Sequence, residues 1–169
     1  MELKIYPDKV LRVSCRPLRD VTDADAARMR EMVEFMYVAE GVGLAAPQVG
    51  WTARVVTMDS DGSRQDPRIF INPRIVVAEG EIEDNESCLS LPGVRVPLRR
   101  AAKIVVAAYT LAGERIEREI EGWPARIWQH EIDHLNGVLF IDRLDPLTRF
   151  SLRQQLKEIE RPSEKAREG

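Results

Sequence analysis

Gln129-His130-Glu131-Ile132-Asp133-His134 holds the only two histidines of the chain. On a helix, at about 100° per residue, His130 and His134 lie about 40° apart around the axis and one turn apart along it, so both imidazoles reach one ion. Glu131 projects about 100° from His130, outside the ligand pair but beside any water the ion would bind. A hydrolase needs this set: two neutral ligands and a base for the water. A bare HExxH arises by chance, and a His/Glu/Asp helix face is commonly only solvated. Here, however, both histidines of the chain fall in the pattern, and Trp128, Ile132 and Leu135 give the helix an apolar side to bury. Its ends are marked independently, by Pro124 at the start and Asn136-Gly137 at the stop.

Two ligands are too few, because a catalytic site takes three from the protein and keeps a position open. Gly137 matches the longer metzincin-type pattern, but Phe140 stands where that pattern needs its third histidine. The remaining candidates are Cys88, Cys15 and the carboxylates Asp142, Asp145 and Glu158. Cys88 ends a predicted strand in Glu86-Ser87-Cys88-Leu89-Ser90-Leu91-Pro92-Gly93 and is preferred over Cys15, which sits in a polar stretch beside Arg16-Pro17. A structural site using both thiols stays open as an alternative, and it would leave no position for chemistry.

Outward from this helix, Thr22 to Asp25 reads as a capping pattern that opens an N-terminal helix with Ala26, Met29, Val33, Met36 and Tyr37 on its apolar side, stopping at Gly41. Short β-branched runs follow at Arg54–Met58, Ile69–Ile71, Ile75–Ala78, Glu81–Asp84, Lys103–Tyr109 and Glu114–Ile120, the last two joined by a turn at Ala112-Gly113. Turns rather than helical crossovers link them, which predicts antiparallel or mixed sheets. A C-terminal helix runs from Pro146 to about Glu160, with Leu147, Phe150, Leu152, Leu156 and Ile159 near one face. The class is α+β: mixed or antiparallel sheets around a central metal-binding HExxH helix, with an N-terminal and a C-terminal helix. One catalytic domain is expected over residues 1–160, with a flexible tail over 161–169.

Composition excludes several functions. The 169 residues carry 25 Lys+Arg against 28 Asp+Glu, a net charge of −3, so no bulk basic field exists for direct nucleic-acid binding. No apolar run approaches the ~20 residues of a membrane span. Met1 to Pro7 lacks the basic and apolar regions of a secretory signal, and two cysteines make no disulfide framework. A cytoplasmic protein without a membrane partner is expected.

Three segments together resemble peptide deformylases. Gly41-Val42-Gly43-Leu44-Ala45-Ala46-Pro47-Gln48 looks like GxGLAAxQ, Glu86-Ser87-Cys88-Leu89-Ser90 like EGCLS, and Gln129 to His134 like QHExDH, in the family's order and approximate spacing. The resemblance extends through Ile71-Asn72-Pro73 and the Gly137 to Asp142 exit from the metal helix. It implies the deformylase fold and removal of the N-terminal formyl group from formylmethionyl nascent polypeptides in a bacterial cytoplasm, near the ribosome. On matching positions, Cys88, His130 and His134 are the metal ligands and Glu131 the general base and acid for hydroxide attack on the formyl carbon. Gln48 and the Leu89 N–H form the oxyanion site. The ion implied is Fe2+, with Zn2+, Ni2+ or Co2+ able to substitute.

The helical wheel puts Trp123, Arg126 and Ile127 beside the metal site. The resemblance makes them walls of a pocket for the methionine side chain, together with Val42, Gly43 and Glu86. Two residues depart from the family pattern. Ser87 replaces a usual glycine, which at positive φ costs up to about 1 kcal/mol. Arg126 stands where most bacterial members carry an aliphatic residue, as in the organelle-type branch, and is expected to pair with Glu86 while presenting its apolar stem. Arg95 is placed near the peptide by register, and Arg100 as a partner of Asp133 that orients the helix. The competing view of both arginines is a solvated basic run with Arg99. Two other functions compete with deformylation: an HExxH endopeptidase and a non-catalytic metal or peptide-binding module.

Overall fold

Thr22 opens the first helix as its sequence spells: its hydroxyl accepts from the Asp25 N–H at 3.2 Å while Asp25 accepts from the Thr22 N–H at 3.0 Å. The computed structural model describes residues 1–59 and 61–160, so the expected 161–169 tail lies outside the described residues. This helix, α1, spans Asp23–Val38 and buries Met29, Met32 and Met36. It ends three residues before Gly41, the glycine expected to stop it. Glu40 takes the left-handed conformation (φ 59°), and the Gly41 N–H returns to the Met36 carbonyl at 2.9 Å.

Seven strands follow: β1 Gly43–Ala45, β2 Val55–Met58, β3 Arg68–Glu79, β4 Ile82–Cys88, β5 Leu91–Arg100, β6 Lys103–Thr110 and β7 Arg115–Glu121. One sheet has the order β1-β2-β3-β6-β7 and a second pairs β4 with β5, with every pairing antiparallel. The helix α2 spans Gly122–Leu135, starting two residues before Pro124, and α3 Pro146–Ser151 and α4 Arg153–Glu160 follow at the end of the described residues. No helix among the described residues is long and apolar enough to cross a membrane.

Three expectations are corrected. Ile69–Ile71 and Ile75–Ala78 belong to one strand. Register shifts absorb Asn72-Pro73, while Asn72 at φ 52° bonds its side chain to both backbone groups of Leu18. β5 is a strand absent from the expected runs; its Pro92 and Pro97 are tolerated because the two-stranded sheet leaves one edge of β5 unpaired. The C-terminal helix is two helices meeting at Leu152. On a helical wheel Leu147 and Phe150 lie roughly opposite Leu152, Leu156 and Ile159. The first two are accordingly exposed (79% and 66%), whereas Leu152 and Leu156 are buried.

The larger sheet is covered on both faces at β1, β2 and the start of β3. Val56, Phe70, Val106 and Ala108 face Ala125, Trp128, Ile132 and Leu135 of α2, with the Phe70 and Trp128 rings 4.5 Å apart. Leu44, Val55 and Ile71 face the methionines of α1. Each large apolar side chain so buried stabilises the chain by about 1.5–3 kcal/mol, and this packing fixes α2 against the sheet. The smaller sheet packs Leu91, Val94, Val96 and Leu98 on Leu152 and Leu156.

Cys15, expected in a polar stretch, lies in the α2 core cluster at 4% exposure. Burial pushes its thiol up to about 11 from an ordinary 9.0. A raised folded-state pKa means that the neutral buried thiol contributes stability fully below pH 9 and loses it as pH rises toward 11. Urea denaturation from pH 8 to 11 should therefore fall more steeply for the natural chain than for Cys15→Ala, by up to about 2–3 kcal/mol across the range. Parallel curves would refute this.

Candidate metal centre

Cys88 is the last residue of β4, where a register shift between Ser87 and Cys88 re-aims the chain before the Leu89-Ser90 turn. The packed side of α2 presents His130, Glu131 and His134 to it. Ligand atoms of Cys88, His130 and His134 all lie within 4.8 Å of one another, with Cys88 Sγ 3.2 Å from His134 Nε2. Metal bonds of about 2.0–2.3 Å in a tetrahedron put ligand atoms about 3.5 Å apart, so the three fit one cation. Cys15 is not in this group, which removes the two-thiol site. The other alternative ligands are used elsewhere: Asp142 pairs with Arg12, Asp145 caps α3, and Glu158 accepts from Gln154.

The electrostatics favour positive charge at this point. Burial alone would lower the pKa of His130, but the Cys88 sulfur and the Glu86 carboxylate outweigh it and raise the pKa well above its ordinary value. Burial, with positive charge at His130 and Arg100, holds His134 well below its ordinary value, in the neutral form a ligand requires. A soft sulfur with two imidazole nitrogens suits first-row transition metals.

Glu86 organises the surroundings. Its carboxylate accepts from His130 Nδ1 at 2.6 Å, from Arg100 at 2.5 and 2.9 Å, and from Arg126 at 2.9 Å. Burial would raise its pKa, yet Arg100 and His130 hold it well below the usual carboxylate range. Occupying His130 Nδ1 leaves Nε2 for a metal. Arg100 also donates to Asp133 at 2.6 Å, and Asp133 accepts from Arg143 at 2.5 and 2.6 Å. Arg126 spends its other nitrogen on the Ile82 and Leu98 carbonyls, each at 3.0 Å. It is buried, with both its charge and its donors paired.

Above the cluster opens a cavity of about 490 Å3. Val42, Gly43, Gln48, Glu86, Cys88, Leu89, Trp123, Arg126, Ile127, His130 and Glu131 line it, with Arg95 at its exposed side. Arg100, Asp133 and His134 lie behind this wall. Gln48 is fixed by its Oε1, which accepts from the Ala45 N–H at 2.8 Å, while Nε2 donates to Ser90 Oγ at 3.2 Å and faces Cys88 Sγ at 3.7 Å. Burial pushes Glu131 up to about 7. Ser87 is not among the positive-φ residues, so its substitution for glycine carries no backbone cost. Sequence reasoning gave Glu86 a place in the pocket wall and a pairing with Arg126, but not its bonds to His130 and Arg100, and it missed Ser90 and Arg143. Arg143 pairs with Asp133 through a return of the chain that has no local signal.

An antiparallel α+β fold that closes a Cys/His/His cluster beside a buried HExxH glutamate is the architecture of a metallohydrolase. A family model described as polypeptide deformylase matches residues 1–150. A peptide deformylase of Thermotoga neapolitana is 42% identical over 158 residues, covering 93% of this chain and 94% of that protein. The crystal structure of a peptide deformylase from Legionella pneumophila superposes with a TM-score of 0.88 at 38% identity, covering 94% of each chain. That of Arabidopsis thaliana peptide deformylase 1B in complex with an inhibitor superposes at 0.90 with 32% identity, covering 95% of this chain and 90% of that one. The chain belongs to the polypeptide deformylase family, hydrolases that remove the N-terminal formyl group from formylmethionyl peptides.

Removing the Glu86 carboxylate leaves two buried guanidinium groups short of their anion and His130 Nδ1 free. Glu86→Ala should destabilise the fold by about 3–5 kcal/mol and weaken metal binding about 10–100-fold, read by urea denaturation and chelator competition. An unchanged metal affinity would show that Glu86 does not orient His130.

Proposed function

We propose that Cys88, His130 and His134 hold one divalent cation, Fe2+ in the cell, with Zn2+, Ni2+ or Co2+ able to replace it. The observation that carries this reading is the convergence of those three ligands, two of which, Cys88 and His130, line one cavity with Glu131 and Gln48. The bound ion supplies Lewis acidity, which brings the pKa of water toward ~7. Glu131 accepts the proton that water loses and delivers it to the departing amine; its buried setting keeps its affinity for a proton near that of the donor. Gln48 Nε2 and the Leu89 N–H donate to the formyl oxygen as negative charge builds on it, each contributing about 3 kcal/mol to the transition state.

The substrate peptide lies along β1, an edge strand of the larger sheet, whose Gly43 leaves room for an extended backbone to pair. Arg95 meets the peptide from the opposite side. The first side chain enters between Val42, Trp123, Ile127 and the apolar stem of Arg126. Arg100 and Asp133 hold α2 in register behind the ligands. Because the formyl group belongs to freshly made chains, the work is placed near the ribosome in a bacterial cytoplasm.

Glu131→Ala should lower turnover of formyl-Met-Ala-Ser by about 10³-fold or more while metal content stays at one ion per chain. Retained formate release would remove Glu131 from the reaction, and digestion of casein without deformylation would point to an endopeptidase. A thiolate beside ferrous iron is also open to oxidation, at the ion and along the sulfenic and sulfinic series at Cys88. The iron form should lose activity in aerated buffer while the nickel form keeps it; equal half-lives would contradict the iron assignment.

A further inference from the structure

Gly43 has an ordinary backbone. Seven other glycines take positive φ, and Gly43 is not among them, so its conformation accepts any residue. Space is what excludes a side chain here. The three atoms nearest to a Cβ built on Gly43 all belong to Glu131: the Cβ would press on Oε1 and stand 2.9 Å from Cδ and 3.0 Å from Cγ. Carbon atoms are comfortable at about 3.5–4.0 Å, so all three contacts are repulsive.

Neither partner can easily yield. β1 is held by β2 through the pairs Gly43↔Met58 and Ala45↔Val56, and the Val42 carbonyl accepts from the Asp59 N–H at 2.9 Å. Glu131 is 4% exposed on a helix packed against the sheet. Its Oε2 is sealed from solvent without a hydrogen-bond partner among the described residues. The bare backbone of β1 is the surface against which it rests.

We propose that Gly43 is a positioning residue for the proton transfer: its missing side chain is the seat that holds the Glu131 carboxylate beside the ligand cluster. The inference rests on the reading of Glu131 as the proton carrier. It also makes a claim independent of activity, namely that the space between β1 and α2 admits a side chain at residue 43 or the full glutamate at 131, but not both.

A double-mutant cycle on the nickel-loaded full chain separates these claims. Gly43→Ala should lower the thermal midpoint in the natural background and leave it unchanged in a Glu131→Ala background, where the clashing atoms are gone. In the natural background Gly43→Ala should cut kcat for formyl-Met-Ala-Ser at least about tenfold, with KM within about threefold and one ion per chain retained. In a Glu131→Asp background, where the carboxylate is withdrawn by one methylene, the same change should cost less than about threefold in kcat. Equal losses of midpoint in both backgrounds would overturn the proposal, as would a raised KM at unchanged kcat, which would make Gly43 a clearance for substrate alone. Should Gly43→Ala fail to fold, recovery of folded protein in Gly43→Ala/Glu131→Ala supports the seat and failure in both overturns it. Full activity of Glu131→Ala alone would defeat the proton-carrier reading, while the thermal cycle would still decide the steric one.

Discussion

A buried carboxylate between two guanidinium groups and an imidazole holds this site together. Glu86, Arg100 and Arg126 are each at most 5% exposed, and His130 closes the group through Nδ1. Taking such charges out of water costs several kcal/mol per ion, and replacing them with apolar groups of similar volume is often neutral or stabilising. Stability alone therefore does not explain the cluster. Orientation does: Glu86 fixes which nitrogen of His130 is free, and Arg100 carries the same constraint to Asp133 one helical turn away. Strand β4 and helix α2 are thereby locked in the register that brings Cys88 to the two imidazoles.

Much of this was legible because the chemistry sits on periodic elements. His130, Glu131 and His134 have their relation from helical geometry, and Trp128, Ile132 and Leu135 mark the side that faces the sheet. The Arg126–Glu86 pair followed from one rule, that a charge at a pocket wall needs a partner. Illegible parts were those where two local signals conflict or where the chain returns from afar. Asn72-Pro73 reads as a strand break, and only the tertiary bonds to Leu18 show why the strand survives it. Leu147 and Phe150 are apolar yet exposed, so grouping them with Leu152 and Leu156 by residue type misplaced them where the helical wheel sets them apart. Arg143 reaches Asp133 after a turn whose course no spacing rule sets.

The burial of α2 poses a further problem, since Arg126, Gln129, Glu131, Asp133 and His134 are all inside. A buried polar group without a partner forfeits about 1–3 kcal/mol, so each needs an account. Gln129 closes its amide onto Ala101 in both directions, at 3.0 and 2.9 Å, and onto the Ala125 carbonyl at 3.0 Å. Arg126 bonds through both terminal nitrogens, to Glu86 and to two backbone carbonyls, and Asp133 accepts from Arg100 and Arg143. Among the described residues, three buried side-chain atoms are left without a partner, and two of them, Glu131 Oε2 and His134 Nδ1, belong to the HExxH segment. The helix is thus satisfied at Arg126, Gln129 and Asp133 and left short at Glu131 and His134. Burial of that glutamate, with Oε2 unpaired, keeps its proton affinity high, near 7, as the proposed proton exchange with water at cellular pH requires. With Oε2 unbonded, the carboxylate depends on shape for part of its placement, and the missing side chain of Gly43 on β1 leaves it that space.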